Sequence, residues 1–283
     1  MRAEQEMYDL ILGIARQDER VRVVAMNGSR ANPNAPRDAF QDYDVVFAVT
    51  EKASFLANDG WLEVFGRRVI MQKPDAMELF PAEGRNRFAY LMQFEDGNRI
   101  DLTLIPLEEL EQYLKEDSII RILLDKDGRV PALAASSDKD YWIKRPTRGM
   151  FDDCCNEFWW LSTYVAKGLA RNELPYAIAH LDYMRKQLMT MLSWQVGLEQ
   201  GFIFSIGKQF KYLQQHVSDV YWQRLCDTWN AGSPEACGRA LEVMLALFRE
   251  VSKDVAKRFG YAYPDYDAKV SSYLGMLPWQ FLK

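Results

Sequence analysis

The stretch Met26-Asn27-Gly28-Ser29-Arg30, followed twelve residues after Arg30 by Asp42-Tyr43-Asp44, decides the fold of this chain. It is bordered by two apolar runs, residues 21–26 and 45–49. The first run predicts a strand that ends in a tight turn, and the second predicts a strand that opens with two carboxylates. A strand, a turn and a second strand therefore form the start of a predicted sheet.

The two carboxylates favour a metal site. Residues two apart on a strand point to the same face, so Asp42 and Asp44 should lie side by side. Two like charges that close resist ionising together unless a cation joins them. Mg²⁺ prefers oxygen ligands and commonly joins one or two carboxylates to substrate phosphates, and the backbone N–H groups and hydroxyl at Gly28 and Ser29 could cradle such phosphates. The pattern predicts a metal-dependent nucleotide site.

A third acid is expected on a neighbouring strand. An apolar run at residues 88–94 is followed by the turn signal Glu95-Asp96-Gly97-Asn98, since Asp-Gly favours hairpin geometry. Residues 99–105 then alternate polar and apolar, which places Asp101 and Thr103 on one face of the predicted strand. Asp101 beside Asp42 and Asp44 would complete a cluster of three carboxylates.

Each signal alone also has an ordinary structural interpretation. A Gly-Ser turn is common in proteins that mix helices and strands, and a D-x-D pattern is frequent at a solvated strand start. Asp101 alone is typical of a surface acid at a strand edge, and Arg30 fits a surface charge as well as a phosphate ligand. The combination in one strand-turn-strand context favours catalysis.

Composition excludes several classes of protein. The chain has 283 residues, a net charge of −5 and a pI of about 5.3, which argues against a broad nucleic-acid footprint. It contains no apolar run long enough for a membrane span and no signal peptide, so we expect a cytoplasmic protein. Four cysteines without a C-x-x-C pair and two histidines make a zinc site improbable.

The pattern changes near residue 130, which predicts two domains. We expect an α+β fold: a mixed sheet with helices over residues 1–130, a connecting segment over 131–147, and a helical bundle over 148–283. Strand 69–72 joins those above, residues 119–124 fit either a helix or a strand, and 265–267 are interpreted as loop. Helices are predicted over 4–16, 54–65 with an interruption at Asp59-Gly60, 107–115, 151–171, 174–197, 207–216, 218–229 and 234–259.

Four stretches of the chain resemble a known family. Residues 26–30, 40–44, 96–106 and 151–160 are similar to those of aminoglycoside 6-adenylyltransferases of the streptomycin-modifying type, within the nucleotidyltransferase superfamily. The resemblance runs from Met1 to about Tyr273. It implies Mg²⁺-dependent transfer of AMP from ATP to the 6-hydroxyl of streptomycin, with release of pyrophosphate and inactivation of the antibiotic.

The resemblance also implies roles for single residues. Asp42 and Asp44 would hold Mg²⁺, and Asp101 would serve as general base or as a third metal ligand. Gly28, Ser29 and Arg30 would contact the ATP phosphates. Lys208, in Ser205-Ile206-Gly207-Lys208 at a predicted helix start, would contact phosphate from the second domain, although a plain surface lysine fits equally well.

Streptomycin is a polycation, so its site should be acidic with aromatic walls. The leading candidates lie on the predicted helix 151–171, with a weaker one on the next helix: Asp152, Asp153, Glu157 and Trp159, and then Asp182. The alternative places Trp159 in the core and leaves the acids solvated.

Rival functions also remain open from the sequence. They are transfer to another aminoglycoside, a nucleotide or a protein side chain, and a non-catalytic nucleotide-binding relative. No nucleic-acid or membrane partner is expected, and the oligomeric state is open.

Overall fold

The protein has an α+β fold, described here by a computed structural model for residues 1–81 and 86–279. The chain forms two compact units, Met1–Asp140 and Tyr141–Lys283, which we call the N-terminal and C-terminal units. The division falls inside the segment 131–147 that we predicted as a connection. The functional assignment of the two units stays a prediction.

The N-terminal unit is built on one six-stranded sheet in the order β3-β4-β5-β2-β1-β6. Among the described strands, β2 and β5 pair in parallel and the other neighbours are antiparallel. The predicted strands 21–26 and 69–72 and the hairpin 88–105 are confirmed, and the ambiguous segment 119–124 forms an edge strand. The strands are β1 Val21–Met26, β2 Tyr43–Val49, β3 Arg68–Gln72, β4 Phe88–Phe94, β5 Arg99–Pro106 and β6 Arg121–Asp125.

Alternation along β5 anchors one face of the sheet in the core. Ile100, Leu102 and Leu104 are fully buried, whereas Asp101 and Thr103 on the opposite face are partly exposed. The N-terminal helix packs on the apolar side through Met7 and Ile11. The hydrophobic face therefore fixes the strand register and leaves the carboxylates on the accessible face.

The N-terminal unit has four α-helices among its described residues: α1 Glu4–Gln17, α2 Gly28–Ala31, α3 Lys52–Leu56 and α4 Leu110–Tyr113. The predicted helix 54–65 is instead α3 followed by a 3₁₀ helix over Gly60–Phe65. The predicted helix 107–115 begins as a 3₁₀ turn, Leu107–Glu109, before α4.

The C-terminal unit is helical, as expected. Its helices are α5 Arg148–Ala170, α6 Leu174–Gln200, α7 Asp219–Asp227, α8 Pro234–Phe259 and α9 Tyr266–Gly275. The side chains of Thr147, Ser218 and Ser233 accept hydrogen bonds from the first turns of α5, α7 and α8, which explains where these helices begin. No helix within the described residues is long and apolar enough to cross a membrane.

Two predictions for this unit were wrong. Residues 207–216 are not a helix but contain two 3₁₀ turns, Lys208–Phe210 and Leu213–Gln215, because Gly207, Gln209 and Phe210 have positive φ. Residues 265–267 are not loop, since α9 begins at Tyr266. Trp279 near the C-terminus is buried and donates to the carbonyl oxygen of Leu274, while Gln280 and Phe281 lie outside the described residues.

A partly buried ion pair holds α9 against α8. Arg249 donates from Nε and Nη2 to the carboxylate of Asp267, at 2.8 and 2.7 Å, and Tyr263 and Ser271 donate to the same carboxylate. Burial alone would raise the pKa of Asp267, but the hydrogen bonds and charge of Arg249 outweigh it, and the pKa is lowered. The predicted loop is thus a fixed packing element.

Candidate active site

The Gly28 turn closes directly onto β2. Gly28 has φ of +63°, and the N–H of Asn27 donates to the carbonyl oxygen of Asp44 at 2.9 Å. A Cβ placed on Gly28 would lie 1.9 Å from Oδ2 of Asp44. Only glycine suits this position, because it accepts positive φ and leaves room for the carboxylate.

The side chain of Asn27 fixes this turn to the rest of the unit. Its Nδ2 donates to the carbonyl oxygen of Ile119 at 2.8 Å, and the hydroxyl of Tyr113 donates to its Oδ1. The turn is therefore tied to the sheet by its backbone and its side chain. Ser29 follows at the start of α2 and is partly buried.

The parallel pairing of β2 with β5 brings the second and third carboxylates together. Asp44 and Asp101 are direct Cα partners in the register, and Asp42 lies one residue before β2 begins. The predicted placement of Asp101 on a strand beside Asp44 is confirmed. Its role as base or metal ligand stays a prediction.

Arg99 contacts this cluster directly. It donates from Nε to Oδ1 of Asp101 and from Nη2 to Oδ2, both at 2.8 Å, and its Nε lies 3.7 Å from Oδ2 of Asp42. Asp101 comes first among the causes that raise the pKa of Arg99, and Asp42 and Asp44 add to it. One guanidinium thus interacts with all three acids.

The charge balance at Asp42 shows how crowded the acids are. Burial raises the pKa of Asp42, the charge of Asp101 raises it further, and Arg99 and Arg30 oppose the change without cancelling it. A carboxyl in this state gains from any additional cation that approaches it.

The donor chemistry of this cluster fits Mg²⁺. The cluster offers carboxylate oxygens, which suit Mg²⁺, and Mg²⁺ usually takes one or two carboxylates together with substrate phosphates. Within residues 1–81 and 86–279, however, no three His, Cys, Asp or Glu side chains are arranged to hold a metal ion by themselves. The arrangement is consistent with a cation that shares its ligands with a nucleotide.

The side chain of Arg30 is buried against other groups of the protein. It stacks on the ring of Tyr43 at 3.8 Å, donates to the carbonyl oxygen of Gln41 at 2.9 Å and pairs with Glu4 at 3.2 Å. These partners give Arg30 a structural role. Its contact with phosphate stays a prediction.

Lys208 is exposed at the start of a 3₁₀ turn of three residues. The helix that we predicted here is absent, so the helix-dipole argument for phosphate binding no longer supports Lys208. Its role in ATP binding stays a prediction that rests on the family resemblance alone.

Two of the candidate substrate-binding acids are paired with arginines of their own helices. Asp152 on α5 accepts from Nε of Arg148 at 2.7 Å. Asp182 on α6 accepts from Nη1 of Arg185, which is buried and also holds Thr228. These pairs leave less negative charge available to a cationic ligand.

Asp153 and Glu157 have no ion-pair partner within the described part of the chain. Both are exposed on α5, and Trp160 lies three residues further, with its indole 57% exposed and its Nε1 donating to the hydroxyl of Tyr164 at 3.0 Å. Spacings of four, seven and eleven residues from Asp153 place these side chains on one helix face. We call Asp153, Glu157, Trp160 and Tyr164 the acidic-aromatic face.

Trp159 requires a correction, because it is not on that face. Its side chain is 1% exposed and packs edge-on against Phe158 and Phe248, with Arg249 over its ring. Neighbouring residues of an α-helix lie about 100° apart around its axis, so Trp159 and Trp160 point in different directions. Trp159 therefore belongs to the core, as the alternative interpretation had it.

Sequence reasoning missed Arg99 and did not distinguish the buried Trp159 from the exposed Trp160. The signal for Arg99 was present, since it stands two residues before Asp101 on the same strand face. For Trp160 the signal was its spacing of three residues from Glu157 and seven from Asp153, which matches a single helix face. Neither the hydrogen bonds of Asn27 nor the burial of Arg30 has a comparable sequence signal.

Comparison with known proteins gives a consistent result. The sequence model of the streptomycin adenylyltransferase family matches residues 1–277. The chain is 49% identical to an aminoglycoside 6-adenylyltransferase of Campylobacter jejuni, covering 97% of this chain and 95% of the relative. It is 48% identical to one of Bacillus subtilis, covering 96% and 97%. A crystal structure of an aminoglycoside 6-adenyltransferase from Bacillus subtilis shares 44% identity, covers 98% of this chain and 99% of that chain, and has a TM-score of 0.49.

The strand-turn-strand unit with its carboxylates and the full-length match to named adenylyltransferases define the class: this chain is an adenylyltransferase. More particularly, it belongs to the streptomycin adenylyltransferase family.

Proposed function

We propose that the protein transfers AMP from ATP to the 6-hydroxyl of streptomycin, releases pyrophosphate and thereby inactivates the antibiotic. The pairing of Asp44 with Asp101 beside the Gly28 turn is the observation that carries the proposal. It sets acids next to a turn suited to phosphate, and the named relatives, which act on aminoglycosides at the 6-position, supply the acceptor class.

The residues of the N-terminal unit divide the chemistry among them. Asp42 and Asp44 would hold Mg²⁺, which when bound supplies positive charge to the phosphates. The turn at Gly28 and Ser29 orients the phosphates, and Arg30 is a further candidate for contact. Lys208 of the C-terminal unit stays a candidate on the family resemblance alone. Asp101 accepts the proton of the attacking hydroxyl or shares the metal, and a positioned carboxylate base contributes about 10²–10⁴-fold in rate.

The acidic-aromatic face of the C-terminal unit is our candidate for the aminoglycoside contact. Asp153 and Glu157 offer unpaired carboxylates to guanidinium or ammonium groups, and the exposed indole of Trp160 offers a cation–π partner. Asp152 and Asp182, already paired with arginines, remain weaker candidates.

Mass spectrometry of the acceptor tests the proposal. The protein is incubated with ATP, Mg²⁺ and either streptomycin or an aminoglycoside that lacks guanidinium groups. We expect streptomycin to gain one adenylyl group, with one pyrophosphate released per adduct, no adduct in EDTA, and NMR of the product locating the group at the 6-position.

The other outcomes separate the rival functions. An adduct on the second aminoglycoside alone would show that the class is right and the substrate wrong. ATP binding without any adduct would point to another acceptor, and no ATP binding by the folded protein would indicate a non-catalytic relative.

A further inference from the structure

Arg99 occupies both oxygens of the carboxylate that the reaction needs. Its Nε and Nη2 form two parallel hydrogen bonds of 2.8 Å with Oδ1 and Oδ2 of Asp101. Such a fork is the strongest arrangement available between a guanidinium and a carboxylate. While the fork is closed, the lone pairs of Asp101 that face Arg99 are engaged, so they are not open to a substrate hydroxyl or to a metal ion.

Arg99 also reaches beyond Asp101. Its Nε lies 3.7 Å from Oδ2 of Asp42, and its charge acts on Asp44 as well. Its side chain is 38% exposed, compared with 19% for Asp101. The longer Arg99 side chain therefore borders solvent and can move away from Asp101, while the shorter and more buried Asp101 side chain stays near the strand that both residues share.

We propose that Arg99 is a tethered counter-cation that holds the three carboxylates together before metal binds, and that it must release Asp101 for the active site to form. This inference rests on the proposed function. A divalent cation and the guanidinium compete for the same oxygens, so Arg99 lowers the affinity of the empty site for metal. It is a positioning residue, because it acts on the reaction through Asp101.

Release of Arg99 makes the oxygens of Asp101 available when nucleotide and metal bind. Arg99 thereby links nucleotide binding to the exposure of Asp101, and disfavours metal binding without nucleotide.

Binding of Mn²⁺ alone tests the proposal without any substrate. The free Mn²⁺ concentration is measured by electron paramagnetic resonance during titration of wild-type protein, Arg99→Gln, Arg99→Lys and the control Arg67→Gln, which removes a charge from an arginine that is 89% exposed. We expect Arg99→Gln to bind Mn²⁺ about tenfold more tightly than wild type, because a nearby positive charge is lost. Arg99→Lys should fall between them, and Arg67→Gln should match wild type.

Thermal unfolding supplies an independent readout. Without metal, Arg99→Gln should melt at a lower temperature than wild type, since three carboxylates lose their shared cation. Mn²⁺ at one high concentration should raise its melting temperature by more than it raises that of wild type, because the stabilisation by a ligand grows with the logarithm of its affinity.

Equal or weaker Mn²⁺ binding by Arg99→Gln, including none detectable, would overturn the proposal, since a merely structural role predicts weaker binding. If Arg99→Gln does not fold, the test rests on Arg99→Lys. Mn²⁺ binding by Arg99→Lys that is no tighter than that of wild type would then overturn the proposal. The titration contains no aminoglycoside, so its result does not depend on whether streptomycin is the acceptor. Failure of the proposed function can therefore be distinguished from failure of this proposal.

Discussion

Substitution of Gly28 by alanine tests the geometry of the active site most sharply. The new Cβ would lie 1.9 Å from Oδ2 and 2.6 Å from Cγ of Asp44, where ordinary contacts are 3.4 Å or more. The Asp44 carboxylate must therefore move by about 1.5 Å, and a displacement of about 1 Å at a reacting group can cost about 10²-fold in rate. We expect kcat/KM for adenylyl transfer to fall by at least about 100-fold.

The cost in stability should be much smaller than the cost in rate. Alanine at a positive φ is strained by about 1–2 kcal/mol, and the carboxylate is the end of a side chain that can turn aside. Gly128→Ala is a matched control, since Gly128 has φ of +65° and no atom lies within 4 Å of the place its new Cβ would occupy. It carries the same backbone strain without touching Asp44.

The assay measures pyrophosphate release under saturating ATP and Mg²⁺, with urea denaturation of both variants alongside. Both should lose about 1–2 kcal/mol of unfolding free energy, but only Gly28→Ala should lose activity. If Gly28→Ala retained activity within about threefold of Gly128→Ala, the position of Asp44 against the turn would not matter for catalysis, and our reasoning about the site would be refuted.

Two further predictions concern the C-terminal unit. Asp267→Asn should lower the free energy of unfolding in urea by about 2–3 kcal/mol. This is less than for a fully buried pair, because the side chain of Arg249 is one-third exposed. The control Asp265→Asn, at an exposed acid, should change it by less than about 0.5 kcal/mol. Because the folded-state pKa of Asp267 is lowered, its contribution is present above the ordinary value near 4 and is lost as pH falls through the folded value; a difference from Asp267→Asn that persisted unchanged in acid would contradict this. Trp160→Ala should raise KM for streptomycin about tenfold and leave KM for ATP unchanged. Trp159→Ala should instead destabilise the protein by about 3–5 kcal/mol, because its side chain is buried. Unchanged kinetics for Trp160→Ala would show that the acidic-aromatic face does not bind the substrate.

The strands of the active site were predictable because burial and local pattern agree there. The run that forms β1 is apolar apart from Arg22, and β5 alternates from Arg99 to Leu104, so period and composition gave the correct elements. The Asp-Gly signal placed the hairpin, and the hairpin placed Asp101. The pattern placed Asp101 on a strand beside Asp44 but did not give the parallel direction of that pairing, which depends on the order of strands in the sheet.

The errors arose where tertiary contacts override local pattern. Residues 207–216 contain good helix formers, but three positive φ angles around Gly207 break the segment into turns. Asp267 looked like a loop acid after Pro264, yet the ion pair with Arg249 stabilises a helix there. The partner of Asp267 lies 18 residues away in the chain, and the positive φ angles of Gln209 and Phe210 have no sequence signal.

The side chains of the site divide in the same way. Gly28, Asp44 and Asp101 were identifiable because their spacing reflects backbone geometry. The burial of Arg30 and the fork between Arg99 and Asp101 depend on which way long, flexible side chains turn. A long charged side chain can reach several partners, so its contacts are known only once the folded structure is known.

The most direct test of the account compares the product formed by wild-type protein with that formed by Asp101→Asn. Streptomycin is incubated with ATP and Mg²⁺ and its mass is followed over time, with circular dichroism confirming that both proteins are folded. The account predicts one added adenylyl group with the wild type and a rate at least about 100-fold lower with Asp101→Asn. Unmodified streptomycin with a folded wild-type protein that binds ATP, or near-normal turnover by Asp101→Asn, would contradict it.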